Sequence, residues 1–288
     1  MGLSIWRTLL GAVALPVVAT SCTSSLELDR FRSAEASSVD TAIAVSYFDV
    51  RFAAKGMTSH LNEHLEIRVV DKSNRVQAKA IYDTVAAPDF SIYLRKVVPK
   101  ANAPYRLDWW ADHNNSGKYD GIEGGINEKD HAWRRVLADP LPEDMRLSQG
   151  RYDLEFVHDT AFVDIATDLQ GNPSSIADTL LPFSVSIEGA ADYVGKTAEI
   201  RVVDRTSTRL VGLYRQGKTK PAYPVRINGI IDEETAYDVS VYVDANDNGK
   251  YDAGDPSWKL ELHSDGKGLG AILDMATAPQ SPIETGEP

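Results

Sequence analysis

Glu66-Ile67-Arg68-Val69-Val70-Asp71 recurs unchanged as Glu199-Ile200-Arg201-Val202-Val203-Asp204, 133 positions further on. Phe90-x-Ile92-x-Leu94 matches Tyr223-x-Val225-x-Ile227 at the same offset, and Tyr105-x-Leu107-x-Trp109-x-Ala111 matches Tyr237-x-Val239-x-Val241-x-Val243 at 132. Further on, Trp133-Arg134 corresponds to Trp258-Lys259 after about seven extra residues in the first copy. A near-constant offset across several blocks means duplication, and two copies make a tandem pair, not a solenoid. The repeated blocks alternate apolar and polar residues with period two, which puts one face of each on a core and marks strands. The first copy has about seven such runs, beginning near Phe48, Leu65, Ala80, Phe90, Tyr105, Trp133 and Tyr152. Short strands at this spacing, parted by turn residues such as Asn115, Ser116 and Gly117, predict an all-β chain. The expected architecture is two tandem antiparallel Greek-key β-sandwich modules, of the Ig-like or transthyretin-like kind.

The repeat also sets the boundaries. A first module is expected over 44–166 and a second over 181–276, with a Ser/Asn/Pro-containing linker at 167–180. Residues 22–43, rich in Ser, Ala and charge, read as a tether. The tail 277–288, with its prolines and glutamates, reads as disordered.

The N-terminus points to export. Arg7 precedes an apolar stretch from Leu9 to Val18, too short to span a bilayer, and small residues follow up to Cys22. Residues 1–21 are therefore read as a signal peptide. Ala19-Thr20-Ser21-Cys22 resembles a lipobox, which implies cleavage before Cys22 and a diacylglycerol on its sulfur. Cys22 is the only cysteine. A lone thiol in an oxidising compartment invites mispairing, and lipidation explains its position. Anchoring in the outer membrane is expected from the resemblance, because Thr23, not Asp, follows the cysteine. The net charge is −12, and it becomes more negative once Arg7 is removed. Such a surface disfavours nucleic acid and attracts divalent cations.

The strongest chemical signal follows the strand blocks. Calcium takes six to eight oxygens, and a 12-residue loop supplies them from positions 1, 3, 5, 7, 9 and 12, with glycine at 6 for the sharp bend. In the second copy these are Asp244, Asn246, Asn248, the Lys250 carbonyl, Asp252 and Asp255, with Gly249 at the bend. In the first they are Asp112, Asn114, Ser116, the Lys118 carbonyl, Asp120 and Glu123, with Gly117 at the bend. The repeat pairs Asp255 with Asp130, whereas loop counting picks Glu123; Glu123 is preferred because 124–127 looks like an inserted bulge. Tyr119 and Tyr251 at position 8 should turn inward and hold each loop. About two calcium ions are expected. The pattern at 244–255 is similar to the calcium loops of bacterial surface-protein β-sandwich repeats, such as the B-type repeats of adhesins, and to the EF-hand loop. The resemblance implies a calcium-stiffened extracellular module and no activity.

Other signals are weaker. His60-Leu61-Asn62-Glu63-His64 fits the H-x-x-E-H pattern of zinc peptidases, but it runs straight into a strand and is read as a solvated loop. His113, His131, His158 and His263 are scattered along the chain and read as surface or turn residues, with His131 a candidate contact in a small ligand site beside the first loop. Trp110 points away from the face that carries Trp109, so it either stacks on sugar rings or packs between modules; packing is preferred. The expected function is a non-enzymatic, calcium-binding, envelope-anchored lipoprotein with a structural, adhesive or assembly role. Its partners would be the membrane, through lipid, and other envelope or surface proteins. Carbohydrate binding is the first alternative, and a metal-dependent hydrolase the second.

Overall fold

A computed structural model describes residues 47–100, 104–122, 129–174, 180–249, 251–252 and 254–279. Cys22, Glu123 and Lys250 lie outside these residues, as do the expected signal peptide and tether. Among the described residues no helix is long and apolar enough to cross a membrane.

The chain is all-β. Its first half runs β1 (Tyr47–Lys55), β2 (Leu65–Val70), β3 (Val76–Tyr82), β4 (Phe90–Pro99), β5 (Tyr105–Ala111), β6 (His131–Leu137), β7 (Met145–Ser148) and β8 (Arg151–Val157). The second half repeats the plan with β9 (Leu181–Glu188), β10 (Thr197–Asp204), β11 (Arg209–Gln216), β12 (Tyr223–Ile231), β13 (Ala236–Asp244), β14 (Ser257–His263) and β15 (Leu269–Asp274). Among the described residues only β7, a short edge strand, lacks a counterpart. A 3-10 turn follows β1 at Met57–His60, and another follows β9 at Ala191–Tyr193.

In each half two sheets face one another. β4-β1-β8-β7 packs on β3-β2-β5-β6, and β12-β9-β15 packs on β11-β10-β13-β14. Val50, Phe52, Ile92, Leu154 and Phe156 from one sheet meet Leu65, Ile67, Leu107, Trp109 and Trp133 from the other, which is what the period-two alternation requires. Most ladders are antiparallel, as the alternation suggests. Among the described residues three are parallel: β1 with β8, β9 with β15, and β3 with β11. Alternation reports which face is buried and says nothing of strand direction.

The β3–β11 pair is the seam of the molecule. It joins the two four-stranded sheets into one of eight, in the order β14-β13-β10-β11-β3-β2-β5-β6. Leu213 lies beside Ala80 and belongs to the first core; Tyr214 lies beside Ile81, and both belong to the second. The two cores therefore sit on opposite faces of one continuous sheet, and each seam strand serves both.

The identical Glu-Ile-Arg blocks are explained by the sheet. Ile67 and Ile200 face the cores. Glu66 and Glu199 point to the other face, where they are buried and paired: Glu66 with Arg68 and Lys79, Glu199 with Arg201 and Arg215. A buried carboxylate needs such partners to offset its desolvation. Part of the expected linker is docked here too. Arg134, itself paired with Asp108 at 2.7 Å, donates to the carbonyls of Ile165, Thr167 and Asp168.

Candidate functional site

Each acidic loop begins where an apolar strand ends. β5 delivers Asp112 and β13 delivers Asp244, and both aspartates are buried. The chain then bends at Gly117 (φ 77°) and Gly249 (φ 79°), a left-handed conformation that glycine adopts without a Cβ penalty. The bend turns backbone amides toward the first carboxylate. Asp112 accepts the amides of Ser116 and Gly117 at 2.9 and 2.8 Å; Asp244 accepts those of Asn248 and Gly249 at 3.1 and 2.7 Å. Asn114 donates to Asp120 at 3.1 Å, and Asn246 to Asp252 at 2.9 Å. The two loops thus share these bonds, and loop positions 1, 3, 5 and 9 are drawn together in both.

A third carboxylate closes each loop. Asp255 accepts the amides of Asp252 at 2.8 Å and Ala245 at 3.0 Å. In the first loop Asp130 accepts the Asp120 amide at 3.0 Å, so Asp130 holds the place that the repeat assigns it. Asp130 is 1 % exposed, and its Oδ1 makes no hydrogen bond. Burial pushes its carboxyl up to about 6; the Asp120 and His113 amides oppose this, and the nearby Asp120 and Asp112 carboxylates add to it. These oxygens suit a hard divalent cation, which would relieve the mutual repulsion of the carboxylates.

Position 8 does not turn into either main core. Tyr119 packs on Trp110 at 5.8 Å on the opposite face of the sheet, and its hydroxyl donates to Asp164 at 2.8 Å. Tyr251 packs likewise on Tyr242 at 4.8 Å. Trp110 is packed, as preferred, but by its own half of the chain and not between modules: it is 2 % exposed and enclosed by Tyr119, Ala132, Ile165 and His64. The docked 165–174 segment covers the face that alternation leaves open, so Trp110 offers no platform for a sugar ring.

The histidines form the second part of the site, and here the expected solvated loop is corrected. The 3-10 turn and the start of β2 fold His60 fully out of solvent and leave Glu63 nearly so. His60 Nε2 lies 3.1 Å from His158 Nε2 and 3.3 Å from His131 Nδ1. On the other side of its ring, Nδ1 is 2.7 Å from Glu63, whose second oxygen is 2.8 Å from His113 Nδ1. Burial would raise the Glu63 carboxyl, but the hydrogen bonds from His60 and His113 outweigh it and hold the group below the usual range. His131 stacks on Phe162 at 4.1 Å, and Trp133 presents an edge to His60 and His158. His64, the last residue of the sequence motif, is not in the cluster; its ring lies against Trp110. The peptidase arrangement, two histidines of one motif on a helical face, is therefore absent among the described residues. His113, His131 and His158 are far apart in sequence, and only the closure of the sandwich brings them together. One local signal existed: His113 and His131 each directly follow a loop carboxylate, Asp112 and Asp130.

No family model matches the chain, and no curated protein matches it. Solved structures that overlap it include a candidate cell adhesion protein from Parabacteroides distasonis, 9% identical with a TM-score of 0.22, covering 80% of this chain and 94% of that one. A candidate adhesin from Bacteroides ovatus is 9% identical at a TM-score of 0.21, covering 83% and 94%. The shaft pilin spaA from Lactobacillus rhamnosus GG is 8% identical at 0.20, covering 83% and 100%. Similarity at this level carries neither fold nor function across.

Proposed function

We propose that the chain is a calcium-binding lipoprotein of the bacterial envelope, tethered by lipid on Cys22, with a structural, adhesive or assembly role at the cell surface. Asp130 carries the calcium reading. A buried carboxylate with one oxygen lacking a partner, beside two further carboxylates, is costly unless a cation sits among them. Asp255 in the second loop repeats its hydrogen bond to position 9. The ligand set then has three carboxylates per loop: Asp112, Asp120 and Asp130 serve the first ion, and Asp244, Asp252 and Asp255 the second. Asn114, Ser116, Asn246 and Asn248 add neutral oxygens, and the Lys118 and Lys250 carbonyls complete the loops. The lipobox resemblance and the acidic composition support the address and a cation-rich exterior. Burial of Trp110 leaves the carbohydrate reading without its aromatic contact.

Three acidic ligands with neutral companions suggest weak extracellular affinity, a Kd of about 10⁻⁴–10⁻³ M. At about 2 mM calcium and a Kd of about 0.1 mM, binding to the folded state alone adds roughly 1.8 kcal/mol per site. Calorimetry of the purified chain in calcium and in chelator tests this. Asp112→Ala and Asp244→Ala should each remove about half of the calcium-induced rise in melting temperature. Identical melting in both buffers would reduce the loops to ordinary turns. For the anchor, Cys22→Ser should release the chain from membranes; retention in the membrane fraction would mean another attachment.

A further inference from the structure

We infer that His60, His131 and His158 form a transition-metal site, separate from the acidic loops, with Glu63 and His113 as its supporting shell. The three ring nitrogens lie within 4.8 Å of one another, two of the separations being 3.1 and 3.3 Å. Nitrogens bound to one tetrahedral ion at about 2.0–2.1 Å are about 3.3–3.4 Å apart, so the two edges of the triangle that meet at His60 already have close to the right length. The rings need little movement to admit an ion.

The orientation of His60 is set from behind. Its Nδ1 faces the Glu63 carboxylate, which can only accept, so the ring's proton is held there and the Nε2 lone pair is aimed at the other two histidines. His113 in turn fixes the second oxygen of Glu63. A carboxylate behind a metal-binding histidine fixes the ring and raises its basicity. Phe162 and Trp133 supply an apolar wall, which strengthens binding by keeping water from the rings. Imidazole nitrogens suit zinc, copper, nickel or cobalt and do not suit calcium or magnesium, which take oxygen. Three protein ligands leave a fourth position, and half-exposed His158 marks the open side.

The second half of the chain is an internal control. The His158 amide donates to the Lys55 carbonyl at 2.9 Å, and the Met275 amide donates to the Glu188 carbonyl at 2.8 Å, so the two residues are equivalent. By the same repeat His60 corresponds to Tyr193, Glu63 to Lys196, His113 to Ala245 and His131 to Pro256. The second sandwich forms with none of the five polar residues. The fold therefore does not need the cluster, and four of the chain's six histidines gathered at one point call for a ligand.

The test is a titration of the full chain, made without a histidine tag and kept in calcium, with Co²⁺ and then Zn²⁺. One equivalent of cobalt should bind with the intense visible absorption of a tetrahedral nitrogen-ligated ion, and zinc should displace it. His158→Met copies the residue that the second half already carries, so it should fold normally and lose at least about 100-fold in affinity; Glu63→Gln should lose about 10–100-fold. His64→Ala and His263→Ala should bind as the parent does. Asp112→Ala and Asp244→Ala, which remove the calcium sites, should keep the cobalt equivalent, so failure of one reading leaves the other standing. Wild-type affinity in a folded His158→Met chain, or loss of binding in His263→Ala alone, overturns the site. Absence of stoichiometric cobalt binding in the parent chain does the same.

Discussion

The Asp83 carboxylate accepts the Tyr214 hydroxyl at 3.0 Å, directly across the seam between the two halves. Its other oxygen takes the Gln216 side-chain amide at 2.7 Å, and its own amide donates to the Arg215 carbonyl at 2.9 Å. Asp83→Ala should cost about 1.5–3 kcal/mol, because it strands two donors at a largely buried junction. The same seam predicts the behaviour of the separated halves. Residues 46–174 expressed alone would uncover Ile81 and the unpaired edge of β3, and should self-associate through that edge. Sedimentation of that fragment, with and without Ile81→Lys, checks the expectation; a monomer of unchanged stability would count against it.

Neutralising the closing carboxylate should have opposite effects with and without calcium. In chelator, Asp130→Asn removes one of three crowded negative charges and should raise the melting temperature. In calcium it removes a ligand, and the stabilisation from the first loop should disappear. A crossing of the two melting curves relative to the parent chain is the expected signature. A variant less stable under both conditions would mark Asp130 as a plain structural hydrogen-bond acceptor.

Glu199 predicts an acid transition. Burial alone would raise its carboxyl, but Arg215 and Arg201 outweigh that and hold it down to about 2. A carboxylate whose folded pKa is depressed contributes stability above its unfolded value, near 4.5, and loses it as pH falls toward 2. Denaturant midpoints should therefore drop steeply between about pH 4.5 and 2. Glu199→Gln should cost about 3–5 kcal/mol at neutral pH by leaving buried cations uncompensated, and should flatten that acid slope.

Trp110 gives a test that separates packing from recognition. Trp110→Ala should cost about 3–5 kcal/mol, because the ring fills the space under Tyr119 and Ile165. Trp110→Phe should recover much of it. A glycan array on the Phe variant should match the parent chain; a selective loss of sugar binding at unchanged stability would restore the carbohydrate reading.

Strand positions were legible because every repeated block carries its burial in its alternation: Ile67 and Ile200 had to face a core whatever the topology. Direction and neighbour were not. Nothing local in Ala80 or Leu213 says that they lie side by side in a parallel ladder, since that pairing depends on surfaces 133 residues apart. The loop turns were readable because their Asp, Asn and Gly residues are nearly consecutive. The place of Asp130 was readable from the repeat, which pairs it with Asp255; Glu123, the choice of loop counting, lies outside the described residues. The histidine cluster was hidden because its members come from segments far apart in sequence: His131 shares the burial phase of Trp133 and His158 that of Phe156, while His60 and His113 reach them from turns. The cover over Trp110 was hidden because the docked 165–174 segment has no strand period of its own.

The parallel seam has a consequence for reach. β5 runs parallel to β3, and β13 parallel to β11, each through one intervening antiparallel strand. Because β3 and β11 are themselves parallel, both acidic loops leave the eight-stranded sheet at the same end of its strands. β5 and β13 stand five strand spacings apart, about 24 Å, and twist turns them roughly 100–125° to one another. Two domains on a flexible string would offer a spread of distances. Here the duplication has become a gauge, and a ligand that grips both loops at once must carry the matching span or settle for one.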